Sequence, residues 1–483
     1  MSSPYRRSLA LLTAALLAGC AAIPKVAPQV EQVSASSLGL GAADVAQIAP
    51  DWWTALGDPQ LDRIMADALA GNPTLEAAMA RLRIAQAGIA AQRAGLLPQI
   101  GADISEQRQR LSEKALIPPP YAGSGQWIGT AQASLSWSLD LAGKQKAIVD
   151  QARASADAAL FDLAAARVTL SGAVAETYAN LTRADTEARI ATEFIQSREA
   201  SLKLAETRKA SALASDFDIR AAQTLLAQAR QRQVRAEGNR ALMIHALAAL
   251  AGRGADYHAT IGAPMLRLDG VLPVPTVLPA DLIARRADIM AARARVDASE
   301  AGRRAARAAF YPNVDIRAFL GASALGLGSL FTGGALAAGV GPAIHLPIFE
   351  GGRLKADYKA AVGQIDVAVA DYNGLVIDAV KQAADALSAV DTSAADAHEQ
   401  RAILADLQET VRLDGVRVRS GLGSRLDVLA TGDRLLAARQ DQANIDADGM
   451  IHRIQLLTAL GGGFAPLPIQ SSAPAALTQR SMR

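Results

Sequence analysis

The sequence contains one long unit twice, and this duplication constrains the fold more than any other feature. Residues 421–429, which read GLGSRLDVL, have a divergent copy at residues 212–220, and Asp427 follows Asp218 by 209 positions. An offset kept without a gap over about a hundred residues indicates a duplicated unit. We therefore expect two copies of one long helical hairpin, each turning at this motif. The same offset relates Arg208 to Arg417, Ile219 to Val428, Gly143 to Gly352 and Gly252 to Gly461.

Each unit carries a stretch that predicts an unusually long helix. From Lys144 to about Lys209 the sequence has no proline, and Gly172 is its only glycine. Its apolar residues recur at the spacing of one helical face. About 65 residues at the α-helical rise give a rod of roughly 100 Å, which no compact domain requires. A second rod is expected from residue 353 to Arg419.

The stretch from Trp127 to Asp140 alternates strictly between apolar or small residues and polar residues, which predicts a strand. Trp127 and Trp137 lie on the same face, roughly 33 Å apart along a strand. With a tilt of about 40° their separation along the membrane normal is about 25 Å, which matches the two aromatic girdles of an outer-membrane barrel. The alternative is a half-buried strand of a soluble sandwich, which explains the alternation but not a tryptophan at each end.

Four strands of this kind are expected, two in each unit. They are predicted at about residues 98–110 and 127–140, and at about 312–323 and 336–349. Four strands cannot close a barrel, and open sheet edges are not tolerated in lipid. Several chains must therefore close the barrel together, and dimers, trimers and larger rings all satisfy the arithmetic.

The beginning of the chain resembles a bacterial lipoprotein signal. A basic pair, Arg6 and Arg7, precedes a short apolar run and then the sequence LAGC, which ends at Cys20. This order predicts cleavage before Cys20 and lipidation of that residue, the single cysteine of the chain. Ala21, in the position after the cysteine, favours the outer membrane. The alternative is an ordinary signal peptide with an incidental cysteine.

These patterns together divide the chain. The predicted boundaries are a lipoprotein signal peptide at 1–19, a lipidated tether at 20–50, a first repeat at 51–252 with its turn near 210–218, a linker at 253–280, a second repeat at 281–462 with its turn near 419–427, and a tail at 463–483.

Composition and motifs argue against several classes of protein. The formal net charge is +2, and the sequence has no basic block and no interleaving of aromatic and basic residues, so nucleic-acid binding is not expected. The five histidines show no ligand spacing, and no phosphate-binding loop appears. We therefore expect no catalytic residue, no metal site and no cofactor apart from the covalent lipid on Cys20, and we do not expect an enzyme.

Five short motifs, in this order and combined with the lipoprotein signal and the duplication, resemble one family. They are NPTL at 72–75, LPQ at 97–99, SWSLD at 136–140 with Gly143, LPIF at 346–349 with GGR at 351–353, and the turn motif at 421–429. Between about Trp52 and Gly462 the chain is similar to the TolC-like outer-membrane efflux factors, and more closely to their lipoprotein branch of the OprM and NodT type.

The resemblance implies a mixed α and β membrane protein. Three copies would form a 12-stranded outer-membrane β-barrel, four strands from each chain, that continues into a long periplasmic α-helical barrel. The linker would form part of an equatorial belt. The implied function is the outer-membrane channel of a tripartite efflux system that exports small molecules, such as drugs or toxic compounds. Its partners would be a periplasmic adaptor protein, an inner-membrane transporter of the RND type and the outer-membrane lipid.

Two other functions remain open from the sequence. One is the outer-membrane duct of a type I protein-secretion system on the same fold. The other is a structural lipoprotein with coiled coils and no barrel.

The resemblance also implies a periplasmic gate at the two turns. Its candidate residues are Asp216, Asp218, Asp427, Arg417, Arg419 and Arg425. A ring of carboxylates would repel itself when closed, and pairing with arginine would lock it. The alternative for Asp218 and Asp427 is that they are helix N-caps, a position that aspartate favours.

The second turn is the candidate for docking of the adaptor, through Gly421, Leu422, Gly423 and Ser424, although the same residues also suit a purely structural turn. The first turn has Ala212 and Ala214 where the second has Gly421 and Gly423. Because glycine adopts left-handed backbone conformations easily, we expect that geometry in the second turn only, and hence unequal turns. Asp140 is expected to cap the helix that follows its strand.

Overall fold

The computed structural model describes residues 23–34, 38, 48–114, 118–270, 272–275 and 286–464. The predicted signal peptide, Cys20, part of the tether, part of the linker and the tail from residue 465 lie outside the described residues.

Long helices and one small sheet make up the described chain. The two longest helices have 67 residues each, and the helices that return from them have 35 residues each, so the duplication in sequence is also a duplication in helix length. In chain order the elements are α1 Pro59–Gly71, α2 Pro73–Ala94, β1 Gln99–Arg110, β2 Gly125–Ser138, α3 Lys144–Ala210, α4 Asp216–Leu250, α5 Ala287–Ala308, β3 Asn313–Leu325, β4 Leu336–His345, α6 Arg353–Arg419 and α7 Arg425–Ala459.

The four strands form one antiparallel sheet in the order β1-β2-β3-β4. The pairing between β2 and β3 joins the two repeats, with Trp137 opposite Ile316. Strands β1 and β4 are the edges, and within the described residues neither has a strand partner on its outer side. The sheet of one chain is therefore open at both ends.

Four strand ends differ from the sequence-based prediction. β2 begins at Gly125 instead of about 127, β3 ends at Leu325 instead of about 323, and β2 and β4 end early. The last strand was expected to reach about residue 349, but β4 ends at His345. His345 pairs with Asn313, the first residue of β3, so β4 has no strand partner beyond this residue in the described chain. Strand β2 ends at Ser138, because Asp140 has a φ of 47° and leaves the extended conformation.

Asp140 caps α3, as the sequence suggested. Its Oδ1 accepts a hydrogen bond from the backbone N–H of Gln145, and its Oδ2 accepts one from the backbone N–H of Lys146, both at 2.8 Å. These N–H groups have no partner inside the helix. One carboxylate therefore fixes how the chain passes from β2 into the long helix.

The chain packs as two compact units, and each unit takes segments from both repeats. The first consists of the described residues within 1–32, 81–160 and 291–372 and contains the sheet. The second consists of the described residues within 33–80, 161–290 and 373–483 and contains both helical turns. The repeats thus describe the sequence, whereas the units describe the packing.

The largest core cluster lies in the second unit, where α1, the linker and parts of α3, α4 and α7 meet. Asp58 is the N-cap of α1 and is almost fully buried. Its Oδ2 accepts hydrogen bonds from the hydroxyl of Tyr178 and from the N–H of Met265, both at 2.7 Å. Hydrogen bonds to a charged group are worth about 1.5–3 kcal/mol each. This carboxylate therefore ties the linker and α3 to the first helix of the chain.

The long helices are also joined by charged side chains along their length. Asp433 on α7 accepts from Ser197 Oγ at 2.9 Å and pairs with Arg198 at 2.8 Å, both from α3. Arg183 on α3 pairs with Asp448 on α7 at 2.6 Å. In the second unit these contacts hold segments of the two repeats side by side.

Candidate functional site: the sheet faces and the helical turns

One face of the sheet carries apolar side chains on all four strands. Register places Ile100 opposite Leu135, Leu135 opposite Ala318, and Ala318 opposite Val340, so four apolar side chains form one row across all four strands. Ile100 and Val340 are among the exposed large apolar side chains. An exposed apolar face this wide is expected at a boundary with lipid or with another chain.

On β1 and β2 the opposite face is polar, whereas on β3 and β4 it also carries Phe319 and several alanine and glycine residues. Ser105 on β1 and Thr130 on β2 lie directly opposite each other, and their hydroxyl oxygens are 2.7 Å apart in a hydrogen bond. Because neighbouring residues of a strand point to opposite faces, this polar row and the apolar rows come from the same strands.

Trp127 and Trp137 lie on the apolar face near the two ends of β2, and they are 49% and 39% exposed. Trp137 also donates a hydrogen bond from Nε1 to the backbone oxygen of Leu96 at 3.0 Å. The tryptophans therefore occupy the positions that an aromatic girdle requires, one near each end of the strand.

The two helical turns have the same backbone structure. In the first turn, residues 211–215, the N–H of Leu213 donates to the oxygen of Arg208 at 2.8 Å. In the second turn, residues 420–424, the N–H of Leu422 donates to the oxygen of Arg417, also at 2.8 Å. This six-residue hydrogen bond ends a helix when the residue before the donor is left-handed.

The first turn adopts the left-handed conformation too, which contradicts the expectation from its sequence. Ala212 has a φ of 57°, and Gly421, its counterpart in the second turn, has a φ of 72°. Gly423 does not have a positive φ, so its counterpart Ala214 needs no glycine. A left-handed alanine costs roughly 1–2 kcal/mol. The hydrogen bonds of the helix end therefore outweigh the local preference of Ala212.

Asp218 and Asp427 are not N-caps. The N-caps are Ser215 and Ser424, and each aspartate is the third helical residue of its helix. The Oδ2 of Asp218 accepts from the N–H of Ser215 at 2.7 Å, and the Oδ2 of Asp427 accepts from the N–H of Ser424 at 3.0 Å. Both aspartates complete capping boxes, which satisfy helix-end N–H groups reciprocally.

The acidic residues of the first turn are held in their charged form. The hydrogen bond from the N–H of Ser215 lowers the pKa of Asp218 from its usual value of 3.8. An ion pair with Lys209 lowers the pKa of Asp216. A lowered pKa means that the contribution of a carboxylate is complete above its usual pKa. It is lost as the pH falls through the lowered pKa.

The basic gate candidates are distributed unevenly. Arg417 lies 3.7 Å from Asp414, whose Oδ2 accepts a hydrogen bond from Thr431 at 2.7 Å. Arg419 and Arg425 are exposed and make no ion pair in the part of the chain that the structure describes. Nor does any hydrogen bond or ion pair among the described residues join the first turn to the second. The structure therefore does not assemble the six gate candidates into one cluster within a single chain.

Both turns expose apolar side chains that sequence reasoning did not single out as a set. Phe217 and Leu213 are 79% and 68% exposed, and Leu422 is 75% exposed. Leu213 is the counterpart of Leu422, and Phe217 is the counterpart of the exposed Leu426, since the offset of 209 relates each pair. The sequence already contained this signal, because both copies of the turn carry a leucine at the same position. We call the two turns the tips of the helical hairpins.

A groove of about 660 Å³ in the second unit is lined by small residues and by polar or charged side chains, among them Glu176, Arg286 and His452. Burial raises the pKa of Glu176. Arg286 is held by Asp288 at 2.7 Å and by the backbone oxygen of Ala459 at 2.9 Å, so its charge is engaged in packing. Among the described residues, no three histidine, cysteine, aspartate or glutamate side chains are placed to hold a metal ion.

A family model described as outer membrane efflux protein matches residues 64–253 and 278–462. The fusaric acid resistance protein FusA of Burkholderia cepacia is 36% identical over 379 residues, which are 75% of this chain and 71% of FusA. The outer membrane protein OprJ of Pseudomonas aeruginosa is 31% identical over 473 residues, which are 96% of this chain and 97% of OprJ.

A solved structure shows the same fold. The crystal structure of the outer membrane protein VceC from Vibrio cholerae aligns with a TM-score of 0.78 and 30% identity, covering 87% of this chain and 100% of that chain. The mixed α and β fold expected from the sequence is thereby confirmed.

The duplicated turns provide a matched test of the left-handed position. Ala212→Gly should stabilise the first turn. It removes a left-handed backbone cost of roughly 1–2 kcal/mol, and this gain exceeds the loss of about 0.5–1 kcal/mol from the greater freedom of glycine in the unfolded chain. Gly421→Ala should destabilise the second turn by about 1 kcal/mol, since open space surrounds the added methyl group and only the backbone cost remains.

Hydrogen exchange of the Leu213 and Leu422 amides measures both effects. We expect slower exchange at Leu213 in Ala212→Gly and faster exchange at Leu422 in Gly421→Ala, with the other turn of each variant as the control. Equal exchange rates in the Gly421→Ala variant and the unchanged protein would contradict the assignment of a costly left-handed alanine.

Proposed function

This chain belongs to the outer membrane efflux protein family, and we propose that three copies of it form the exit duct of a tripartite efflux system. Membership makes it an outer-membrane channel for efflux and not an enzyme. The observation that carries the finer proposal is the amphipathic four-stranded sheet with two unpaired edges.

The trimer is proposed from the hydrogen bonding of the sheet. Strands β1 and β4 leave one row of N–H and C=O groups each without a strand partner in the described chain. In hydrocarbon an unsatisfied backbone group costs several kcal/mol, so spanning strands must close into a ring. If β1 of one copy pairs with β4 of the next, three copies give the 12 strands that the family resemblance implies.

The two faces of the sheet fit such a ring. The apolar row through Ile100, Leu135 and Val340 faces lipid in this arrangement, and the row with Ser105 and Thr130 lines a polar lumen. Trp127 and Trp137 then lie at the two interfaces, as the aromatic girdle of the barrel.

We place the adaptor at the tips of the helical hairpins. The first turn exposes Leu213 and Phe217, and the second exposes Leu422. Exposed apolar side chains on a rigid, capped turn provide a small anchor for a partner protein. Residues 421–424 form the backbone of the second turn, which holds Leu422 in its exposed position. The same residues therefore have a structural role and a docking role in our proposal. An inner-membrane transporter, of the RND type in our proposal, completes the system.

The gate is proposed to form between copies and not within one chain. Arg419 and Arg425 are exposed and lack an ion pair in the described chain, and Asp427 is exposed beside them. Around a three-fold axis such groups would meet their equivalents, where opposite charges attract and like charges repel. Arg417, Asp216 and Asp218 surround the same tips and would adjust the local field.

A covalent lipid on Cys20 is proposed as an anchor in the outer membrane. The support is the LAGC sequence with the basic residues before it. Labelled palmitate should enter the unchanged protein and not a Cys20→Ser variant; equal labelling of both would exclude this site.

Small molecules are the proposed cargo, and type I protein secretion is the runner-up. The names of FusA and its relatives concern fusaric acid, solvents and several drugs, and those compounds are known only for the relatives. The resemblance to outer membrane proteins named for efflux pumps, over 94% of this chain, favours the same class of cargo here.

The efflux proposal predicts that the tips are needed for export but not for the pore. Leu213→Asp combined with Leu422→Asp should abolish drug tolerance in a strain that depends on this channel, because both side chains are exposed and the charge would disrupt an apolar contact. Single-channel conductance in a planar bilayer should remain. Val234→Asp, at a similarly exposed apolar residue of α4 away from the tip, is the control and should keep tolerance. Full tolerance in the double variant would contradict docking at the tips.

The gate proposal predicts a difference between charge and capping at Asp427. Asp427→Asn keeps a side-chain oxygen that can accept from the N–H of Ser424, whereas Asp427→Ala loses it. If the charge holds the gate, both variants should open more often in a bilayer and admit a bulky antibiotic. If Asp427 serves only the capping box, Asn should behave as the unchanged protein and only Ala should differ. Asp218→Asn makes the same change at the equivalent capping-box position of the first turn, and its channel opening is compared with that of Asp427→Asn.

A further inference from the structure

Exposed positive charges lie at all four junctions between the strands and the long helices. Arg93 is in the last turn of α2, just before β1, and Arg307 is in the last turn of α5, just before β3. Lys144 and Lys146 begin α3 after β2, and Lys355 and Lys359 lie in the first two turns of α6 after β4. All six side chains are exposed in the described chain.

The register of the sheet brings these junctions to one end. Gln99, the first residue of β1, pairs with Ser136 near the end of β2. Ser138 pairs with Asp315 near the start of β3, and Asn313 pairs with His345, the last residue of β4. The six charges belong to the compact unit that contains the sheet. They therefore lie beyond the same end of the four strands.

The lysines of α3 and α6 oppose the usual electrostatics of helix starts. Cations near a helix N-terminus are unfavourable, because that end carries partial positive charge. The other described helices longer than ten residues, α1, α2, α4, α5 and α7, each have an acidic residue in the first turn. Helices α3 and α6 have none. Helix stability therefore does not account for these lysines.

The six charges are also not neutralised by the chain itself. Arg353 at the start of α6 pairs with Glu350 and, at 3.0 Å, with Asp357. By contrast, Arg93, Lys144, Lys146, Arg307, Lys355 and Lys359 make no ion pair among the residues that the structure describes.

The same end of the sheet carries a marker of membrane depth. Trp137 is the penultimate residue of β2, lies on the apolar face and is exposed. Tryptophan favours the level of the lipid headgroups. Lys144 and Lys146 follow it by seven and nine residues along the chain, and the other four charges flank the ends of the neighbouring strands that pair beside it.

We propose that these six residues form a basic band that binds anionic phospholipid headgroups at the membrane surface where the strands end. The inference rests on the proposed function, since it requires the strands to span a membrane. Residues two apart on a helix point about 200° away from each other, so Lys144 and Lys146 cannot both face a central lumen. At least one of them points outward, towards the membrane surface. Each basic residue near such a surface strengthens its binding to anionic lipid roughly fivefold.

Native mass spectrometry of the purified full chain tests the band. The protein is mixed with equal amounts of phosphatidylglycerol and phosphatidylcholine in detergent, and the lipid retained on the protein is counted. The unchanged protein should retain phosphatidylglycerol preferentially. Lys144→Gln/Lys146→Gln and Lys355→Gln/Lys359→Gln should each lose at least fivefold of that preference. The control, Lys203→Gln/Arg235→Gln, removes two exposed charges of the other compact unit that make no ion pair in the described chain, and it should retain the preference.

Three results would overturn the proposal. One is equal retention in all variants. Another is displacement of the lipid by the same concentration of inorganic phosphate, which would indicate a simple anion site. The third is a change in the anion-to-cation selectivity of the pore with unchanged lipid retention, which would place the charges in the lumen. Conductance of the unchanged protein distinguishes failure of the channel proposal from failure of the lipid-binding proposal. A protein that conducts but shows no lipid preference contradicts only the basic band.

Discussion

The rest of the structure depends on the backbone hydrogen bonds of two edge strands. A sheet that ends at β1 on one side and at β4 on the other cannot lie in lipid alone, because each edge exposes a row of N–H and C=O groups. In our proposal, other copies of the chain supply the missing partners in register with the same apolar face. Once a ring is required, the long helices that leave each strand must also stand in a ring, so one constraint determines both the barrel and the helical duct in our proposal.

Because the unit is duplicated, the two helical hairpins have the same dimensions. Helices α3 and α6 have equal lengths, as do α4 and α7, so the two hairpins end in turns with the same hydrogen bonds and the same capping boxes. Within this shared frame the side chains diverge. The first turn neutralises its acidic Asp216 with Lys209, whereas the second leaves Arg419 and Arg425 without an ion pair in the described chain. In our proposal the shared turns, which expose Leu213 and Leu422, serve docking, and the unequal charges serve gating.

The sequence predicted the features that depend on local pattern. Strict alternation around Trp127 and Trp137 identified β2, and the offset of 209 identified both turns. It missed features in which hydrogen bonds outweigh the local preference of a residue. Propensity argued against a left-handed Ala212, but the hydrogen bond from Leu213 to Arg208 decides that backbone. Aspartate suggested an N-cap, although a serine three residues earlier signals a capping box. The contact of Asp58 with Tyr178 joins residues 120 positions apart, which no local pattern reveals.

The mass of the detergent-extracted protein tests the central claim most directly. Native mass spectrometry should give three chains per particle, and that particle should conduct ions in a planar bilayer. The account requires both, because three copies are what close four-stranded sheets into 12 strands. A monomer that does not conduct, or a stable particle of two or four chains, would contradict the proposed pairing of β1 with β4 between three copies.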